Sequence, residues 1–214
     1  MTDGVTLEDG LRALGLALPP GAKSQLAAFV ALLAKWNRTY NLTAIREPAR
    51  MLTHHVLDSL AVLTVLALAP GARLLDLGCG AGLPGLPLAV ARPDVAVTLL
   101  DSSSKKVAFV RQAIGELGLA NATAVAVRVE AFVPPVPFDV VISRAFADLA
   151  AFEAAARRLL APGGAVVAMK GRLPGPELAA LPRGVRVVAT PALAVPGVEG
   201  ERHLVILKPE ASQT

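Results

Sequence analysis

Residues 73–91 read RLLDLGCGAGLPGLPLAVA, an apolar run that ends in a carboxylate, turns through closely spaced glycines and continues as a helix. Such a strand belongs inside a sheet, and such a turn belongs where the backbone must lie against something that a Cβ would obstruct. Gly78, Gly80 and Gly82 stand at alternate positions and permit positive φ where the chain turns. The segment predicts one strand–turn–helix unit of an open α/β sheet, with a nucleotide-like ligand at the carboxyl end of the strand.

Two ligand classes compete for that turn. Gly80-Ala81-Gly82-Leu83-Pro84-Gly85 satisfies G-x-G-x-x-G, and Asp101 follows Gly82 by 19 residues, as in a dinucleotide fold. A pyrophosphate, however, needs a helix N-terminus without a nearby negative charge, and here Asp76 closes the strand two residues before Gly78. S-adenosylmethionine (AdoMet) carries a sulfonium and an ammonium, so Asp76 attracts it, directly or through water, and repels a dinucleotide. Val95–Leu100 forms a second apolar run that ends at Asp101, whose carboxylate can accept both ribose hydroxyls. The alternative for the two acids is that they are solvated loop residues.

The chain has 214 residues, enough to bury a core without metal or disulfide. Apolar residues make up 54%, yet the longest apolar candidate, Leu60–Ala69, reaches only half of the ~20 residues a membrane span requires. Met1 is followed by acidic and polar residues rather than a basic and then apolar leader, so a cytoplasmic location is expected, with no membrane partner. The lone Cys79 excludes an internal disulfide and a cysteine zinc site, and its place in the glycine loop suits small-residue packing better than nucleophilic chemistry. A net charge of +4 favours an acidic partner, while 4% aromatics argue against a stacking platform for single strands.

Before the loop, Leu26, Phe29, Val30, Leu33 and Trp36 recur at helical spacing after Ser24, a candidate N-cap, and Tyr40 is a candidate end. Pro48 suits a first helical turn, and Leu52, Val56, Leu60 and Leu63 continue a second stripe. Lys35, Arg38, Arg46 and Arg50 on this helical pair form either an RNA-facing surface or solvated faces. From Arg73 onward strands alternate with helices, the pattern of a parallel sheet covered on both sides. Strands are expected at 73–77, 95–100, 123–129, 139–143 and 164–169, with helices centred near 87, 111 and 154. Ser102–Ser104 can cap the second of these helices and Gly118 can end it, whereas Val133–Pro137 reads as a loop. Val185–Ala189 and His203–Lys208 suggest a terminal antiparallel hairpin. The expectation is one domain over 1–214, with a helical cap at 1–70 and an AdoMet-binding core at 71–214.

The chain resembles the bacterial small-subunit ribosomal RNA guanine-N7 methyltransferases, the RsmG (formerly GidB) family, along nearly its whole length. The resemblance lies in LAKWNRTYNLTAIREP (33–48), HVLDSLAV (55–62), the glycine loop, TLLDSSSKKVAFVRQ (98–112), RVEAF (128–132), FDVVISRAFADL (138–149), MKGRLP (169–174) and GERHLVILK (200–208). It implies a Rossmann-like class I AdoMet-dependent methyltransferase, an α/β fold with a mostly parallel seven-stranded sheet and an inserted antiparallel last strand. It also implies that Gly78, Leu83, Val129, Glu130 and Arg144 hold the cofactor, beside Asp76, Gly80 and Asp101 of the strand–loop reading. Two departures are visible. Ala131 stands where relatives often carry a second acid, and Ser102-Ser103-Ser104 replaces a commoner Ser-Leu-Gly.

Arg144 and Lys170 follow the fourth and fifth strands and are the candidate catalytic side chains, able to meet a cofactor carboxylate or an RNA phosphate. Against this stand a salt bridge of Arg144 to Asp139 or Asp148, and local packing of Lys170. His55 and His203 fall in matched segments but read as structural. The implied reaction is methylation of guanine N7 in a 16S rRNA loop near the decoding centre, with the small ribosomal subunit as partner and no DNA. Because N7 offers a free lone pair, no general base is required. As positive charge moves onto the base, an acceptor for N1 and the exocyclic amine gains value, with Asp148 as a candidate. The rival classes are a small-molecule methyltransferase, expected if the cations scatter, and a non-catalytic ribosome-assembly factor.

Overall fold

Alternation along each strand sorts its side chains between two apolar layers, and that sorting fixes which groups meet the glycine loop. The computed structural model describes residues 5–210 apart from 145 and 147. Its strands are β1 (Arg73–Leu77), β2 (Ala96–Asp101), β3 (Ala122–Ala126), β4 (Phe138–Ser143), β5 (Leu160–Lys170), β6 (Val185–Ala189) and β7 (His203–Pro209). They form one sheet in the order β3-β2-β1-β4-β5-β7-β6. The first five are parallel, while β7 runs antiparallel between β5 and β6, pairing Lys170 with His203. The sheet is therefore mixed: β6 and β7 form the expected terminal antiparallel pair, and β7 is the inserted last strand, lying between β5 and β6.

Leu74, Val97, Leu99, Ile142 and Val167 point into one layer, whereas Leu75, Leu100, Val141 and Val166 point into the other. The first layer is covered by α2 (Ala22–Tyr40), α5 (Gly85–Ala91) and α6 (Ser104–Leu117), and the second by α7 (Leu149–Arg157). Leu26, Phe29 and Leu33 of α2 are no more than 1% exposed. Each contributes about 1.5–3 kcal/mol as an upper bound for apolar burial.

Three local expectations are corrected. Gly21, at φ 83, precedes the first turn of α2, so Ser24 lies inside the helix and is not its cap. Pro19 and Pro20 end the preceding chain and the helix starts directly after the glycine turn. β3 stops at Ala126, because Val129–Ala131 closes a 3₁₀ turn with Phe132 N–H donating to Val129 C=O. β5 begins at Leu160 because a register shift between Phe138 and Val140 absorbs the Pro162-Gly163 segment. Ser103 caps α6 and Gly118 ends it in the left-handed conformation, as expected.

The second helical stripe is one rod in four pieces. These are α3 (Pro48–Met51), a π-helical segment Leu52–Leu57, α4 (Asp58–Ala61) and a 3₁₀ turn Val62–Thr64. Every residue from His55 to Val62 is buried, including the polar His55, Asp58 and Ser59. The widened turn loosens the regular ladder, and hydroxyls complete it, with Thr53 donating to the Arg50 carbonyl and Ser59 to the His55 carbonyl. The remaining helices are α1 (Leu7–Leu14) and α8 (Gly175–Ala179). No helix among the described residues is long and apolar enough to cross a membrane.

Candidate active site

The parity of β1 turns Asp76 toward the layer of Leu74, beneath the start of α5. Asp76 is fully buried, its Oδ2 accepts the Gly85 N–H at 2.8 Å, and its Oδ1 has no hydrogen-bond partner among the described residues. Burial pushes its carboxyl up to about 7, against the Gly85 amide and Arg144, with Asp101 adding to the rise. A Cβ on Gly85 would stand 2.8 Å from both Asp76 Oδ2 and Leu99 Cδ2, so only glycine fits the approach of α5 to this carboxylate. Asp101 ties the same loop from β2, with Oδ2 accepting from Gly80 N–H at 2.9 Å and Oδ1 from Ser103 N–H at 2.8 Å. Gly78 and Cys79 N–H both donate to the Leu100 carbonyl. The loop is thus fixed by backbone donors before any ligand arrives.

Over the ends of β1, β2 and β3 lies a cavity of about 410 Å³. Of the residues expected from sequence, Gly78, Asp101, Val129 and Glu130 line it together, with Leu100, Lys106 and Phe146. Gly80 contributes through its bond to Asp101, while Leu83 is 2% exposed and packs in the core instead of the cavity wall. Asp76 lies behind the wall, next to Leu77 and Gly78. Asp101 and Glu130 share the wall with Lys106 and Arg128, and the third, half-satisfied carboxylate of Asp76 behind it, near the glycine turn, suits a cationic sulfonium and ammonium ligand with a ribose. Cys79 is buried, and burial raises its thiol well above the ordinary value, which leaves it inert.

A second cavity, of about 230 Å³, lies over the ends of β4, β5 and β7. Arg144 and Lys170 both line it. The Arg144 guanidinium pairs with neither Asp139 nor Asp148. Asp139 accepts the Arg73 N–H at the other end of β4, and Asp148 caps α7 by accepting the Ala151 N–H at 2.7 Å. Asp148 lines neither cavity, its carboxylate being engaged as the α7 cap. Arg144 instead reaches Asp58 at 3.7 Å, the His54 carbonyl at 3.3 Å and His55 Nδ1 at 3.2 Å. Burial, then Arg144, drives the His55 imidazole down to about 4, so it is neutral and can accept from the guanidinium, while its Nε2 meets Thr43 Oγ1 at 2.8 Å. Lys170 Nζ pairs with Glu177 of α8 at 2.8 Å and donates to the Phe146 carbonyl at 3.1 Å.

Residues 22–205 match the family described as rRNA small subunit methyltransferase G. The chain belongs to this family. Its relatives include the Ribosomal RNA small subunit methyltransferase G of Laribacter hongkongensis, 53% identical over 201 residues, which cover 94% of this chain and 96% of that protein. That of Ralstonia nicotianae is 52% identical over 211 residues, 96% of this chain and 95% of the relative. Among solved structures, TrmN from Thermus thermophilus aligns with a TM-score of 0.57 at 24% identity, over 71% of this chain and 48% of that one. The glycopeptide N-methyltransferase MtfA complexed with (S)-adenosyl-L-methionine aligns at 0.60 and 18% identity, over 72% and 87%. The fold is that of the class I methyltransferases.

In this rRNA small subunit methyltransferase G family member, the second cavity also contains residues that sequence reasoning passed over. Asp58, Arg202 and His54 line it. Asp58 is 4% exposed and its Oδ1 accepts from Arg202 Nε at 3.2 Å, so one carboxylate spans two guanidiniums. Burial raises its carboxyl, while Arg144 and Arg202 draw it back. The available signal was the polar Asp58-Ser59 pair inside an otherwise apolar helix stripe.

Proposed function

We propose that this protein transfers a methyl group from AdoMet to N7 of a guanine in 16S rRNA of the small ribosomal subunit, in a loop near the decoding centre. The observation that carries this reading is the order of the two cavities on one rim. A glycine-floored cavity over β3-β2-β1, lined by Asp101 and Glu130 together with Lys106 and Arg128, lies on the same carboxyl rim as a mainly cationic one over β4-β5-β7, and Asp76 of β1 is within electrostatic reach of Arg144 after β4. Family membership over residues 22–205 supplies the substrate class. Five cations, Lys106, Arg128, Arg144, Lys170 and Arg202, line the two cavities together, which favours RNA over a small molecule.

When bound, AdoMet supplies a sulfonium-activated methyl group and departs as the neutral thioether S-adenosylhomocysteine. Asp101 would accept the ribose hydroxyls, Val129 would pack on the adenine and Glu130 would bond its edge, while Gly78 lets the backbone approach. The Asp76 oxygen without a partner among the described residues, just behind the wall, would favour the cationic groups of AdoMet electrostatically. Arg144 and Lys170 there meet RNA phosphate or the cofactor carboxylate. N7 attacks with its own lone pair, so the residues need only align the base and exclude water, a contribution of several kcal/mol. A base extruded from a loop suits such a pocket. The helices of 1–70 act as a cap on the AdoMet core of 71–214 within one domain, and the enzyme works in the cytoplasm.

Small subunits from a strain lacking this protein should accept one methyl from purified enzyme and AdoMet. N7-methylguanosine is cut by reduction and aniline, so a single cleavage should appear after treatment and be missing before it. Cleavage already present in the deletion strain, or a methyl mapped to another atom, overturns the assignment.

A further inference from the structure

The cavity over β4, β5 and β7 holds three permanent cations, Arg144, Lys170 and Arg202, and, among the described residues lining it, a single carboxylate, Asp58. Methylation at N7 places a full positive charge on guanine, which three neighbouring cations oppose. Only an anion in the same cavity offsets that charge. Guanine's Watson–Crick edge presents two donors side by side, N1–H and the exocyclic amine, which match the two oxygens of a carboxylate. Resting on the guanine reading above, we propose that Asp58 determines base specificity by accepting N1–H and the amine of the target guanine in this cavity.

The surroundings of Asp58 equip it for that contact. It sits at the first turn after the π-helical segment, within the buried stretch from His55 to Val62, so its position is set by the helix. Each oxygen has one guanidinium, at 3.7 Å and 3.2 Å, which leaves acceptor capacity on both. The charged and titratable groups facing it come from three elements: His54 of the π segment, Arg144 after β4, which also meets His55, and Arg202 before β7. Arg144 and Arg202 favour the charged form of the carboxylate against its burial and can in turn donate to the guanine O6. Adenine, with an acceptor at N1 and no amine at C2, would face Asp58 with a lone pair, so the same carboxylate excludes it.

Inosine lacks the exocyclic amine and keeps N1–H, O6 and N7, which makes it the direct probe. Small subunits would be reconstituted with 16S rRNA carrying guanosine or inosine at the target, and kcat/KM measured for wild type, Asp58→Ala and Asp58→Asn. Wild type should prefer guanosine about tenfold or more, the value of one hydrogen bond to a charged acceptor. In Asp58→Ala the ratio should fall to within about threefold of one, because the amine then has nothing to meet. Ratios cancel the folded fraction, and the isosteric Asp58→Asn supplies the ratio, lowered from wild type, if the alanine variant does not fold. If Asp58 serves only to position Arg144 and Arg202, both substrates slow equally and the wild-type ratio persists, which overturns the proposal, as does a wild-type ratio near one. Failure of the guanine reading itself is separate, since wild type would then leave N7 of the guanosine subunits unmethylated.

Discussion

Asp76 carries a carboxyl that burial holds near 7, against an ordinary value of 3.8, with one oxygen on Gly85 N–H and the other without a partner among the described residues. A folded-state value raised in this way gives stability that is present below the unfolded value and lost as pH rises through about 7. A cation placed beside the carboxylate reverses the preference, so AdoMet should bind more tightly as pH rises from 6 to 8 and release a proton below 7. Calorimetry in buffers of different ionisation enthalpy reads both effects. Asp76→Asn should abolish the pH dependence and weaken AdoMet about tenfold at pH 8; wild-type affinity in this variant would leave Asp76 a purely structural anchor. His55 has the opposite sign. Its value is pushed down to about 4, so its contribution is present above 6.5 and lost as pH falls through about 4, and Arg144 has an uncharged neighbour at neutral pH. That Asp76 and Asp101 close adjacent strands was legible in the sequence, since each ends an apolar run. That Asp76 lies behind the wall and Leu83 in the core was not, because both depend on how closely α5 packs against β2.

At the scale of elements, the glycine loop and α5 behave as one part, joined to the sheet by Asp76 and Asp101. Gly85→Ala drives a methyl to 2.8 Å from Asp76 Oδ2 and Leu99, so α5 must lift from β2. The expected result is a loss of about 1–3 kcal/mol in thermal or urea unfolding, together with weaker AdoMet binding. Retention of both would show that α5 has slack. The rod from Pro48 to Thr64 shows the limit of periodicity. Its stripe of Leu52, Val56, Leu60 and Leu63 predicts a helix, and a helix forms. The π segment is absent from that pattern because apolar spacing does not encode the bonds at it: Arg144, from beyond β4, donates to the His54 carbonyl, and the Thr53 and Ser59 hydroxyls bond back to carbonyls one turn earlier. The same packing turns His55, Asp58 and Ser59 inward along with the apolar stripe.

Over the whole molecule, a net charge of +4 is modest, so its distribution matters more than its size. Lys35 and Arg38 on α2, Arg46 before α3 and Arg50 within it are all exposed, on the same helical cap that supplies Asp58. If they meet rRNA phosphates, small-subunit binding should weaken steeply with salt, and Arg46→Ala and Arg50→Ala should each lower the slope of log K against log salt by about 0.7–0.9. An unchanged slope in both would make these side chains solvated faces only. The sequence by itself determined the seven strands in order, the helices α2, α5, α6 and α7, the acids at the ends of β1 and β2, and the glycines of the loop, because alternation and backbone sterics act within a few residues; α1 and α8 were not legible in it. That β7 inserts between β5 and β6 was implied by the family resemblance but not by residue patterning, and it is the tertiary structure that decides it, since either edge of a strand can pair and local preference does not choose a neighbour. That insertion carries Arg202 to the carboxyl rim beside Lys170 and onto Asp58, 144 residues away in the chain. The cationic cavity exists because of strand order, a property of the packed sheet that no run of neighbouring residues encodes.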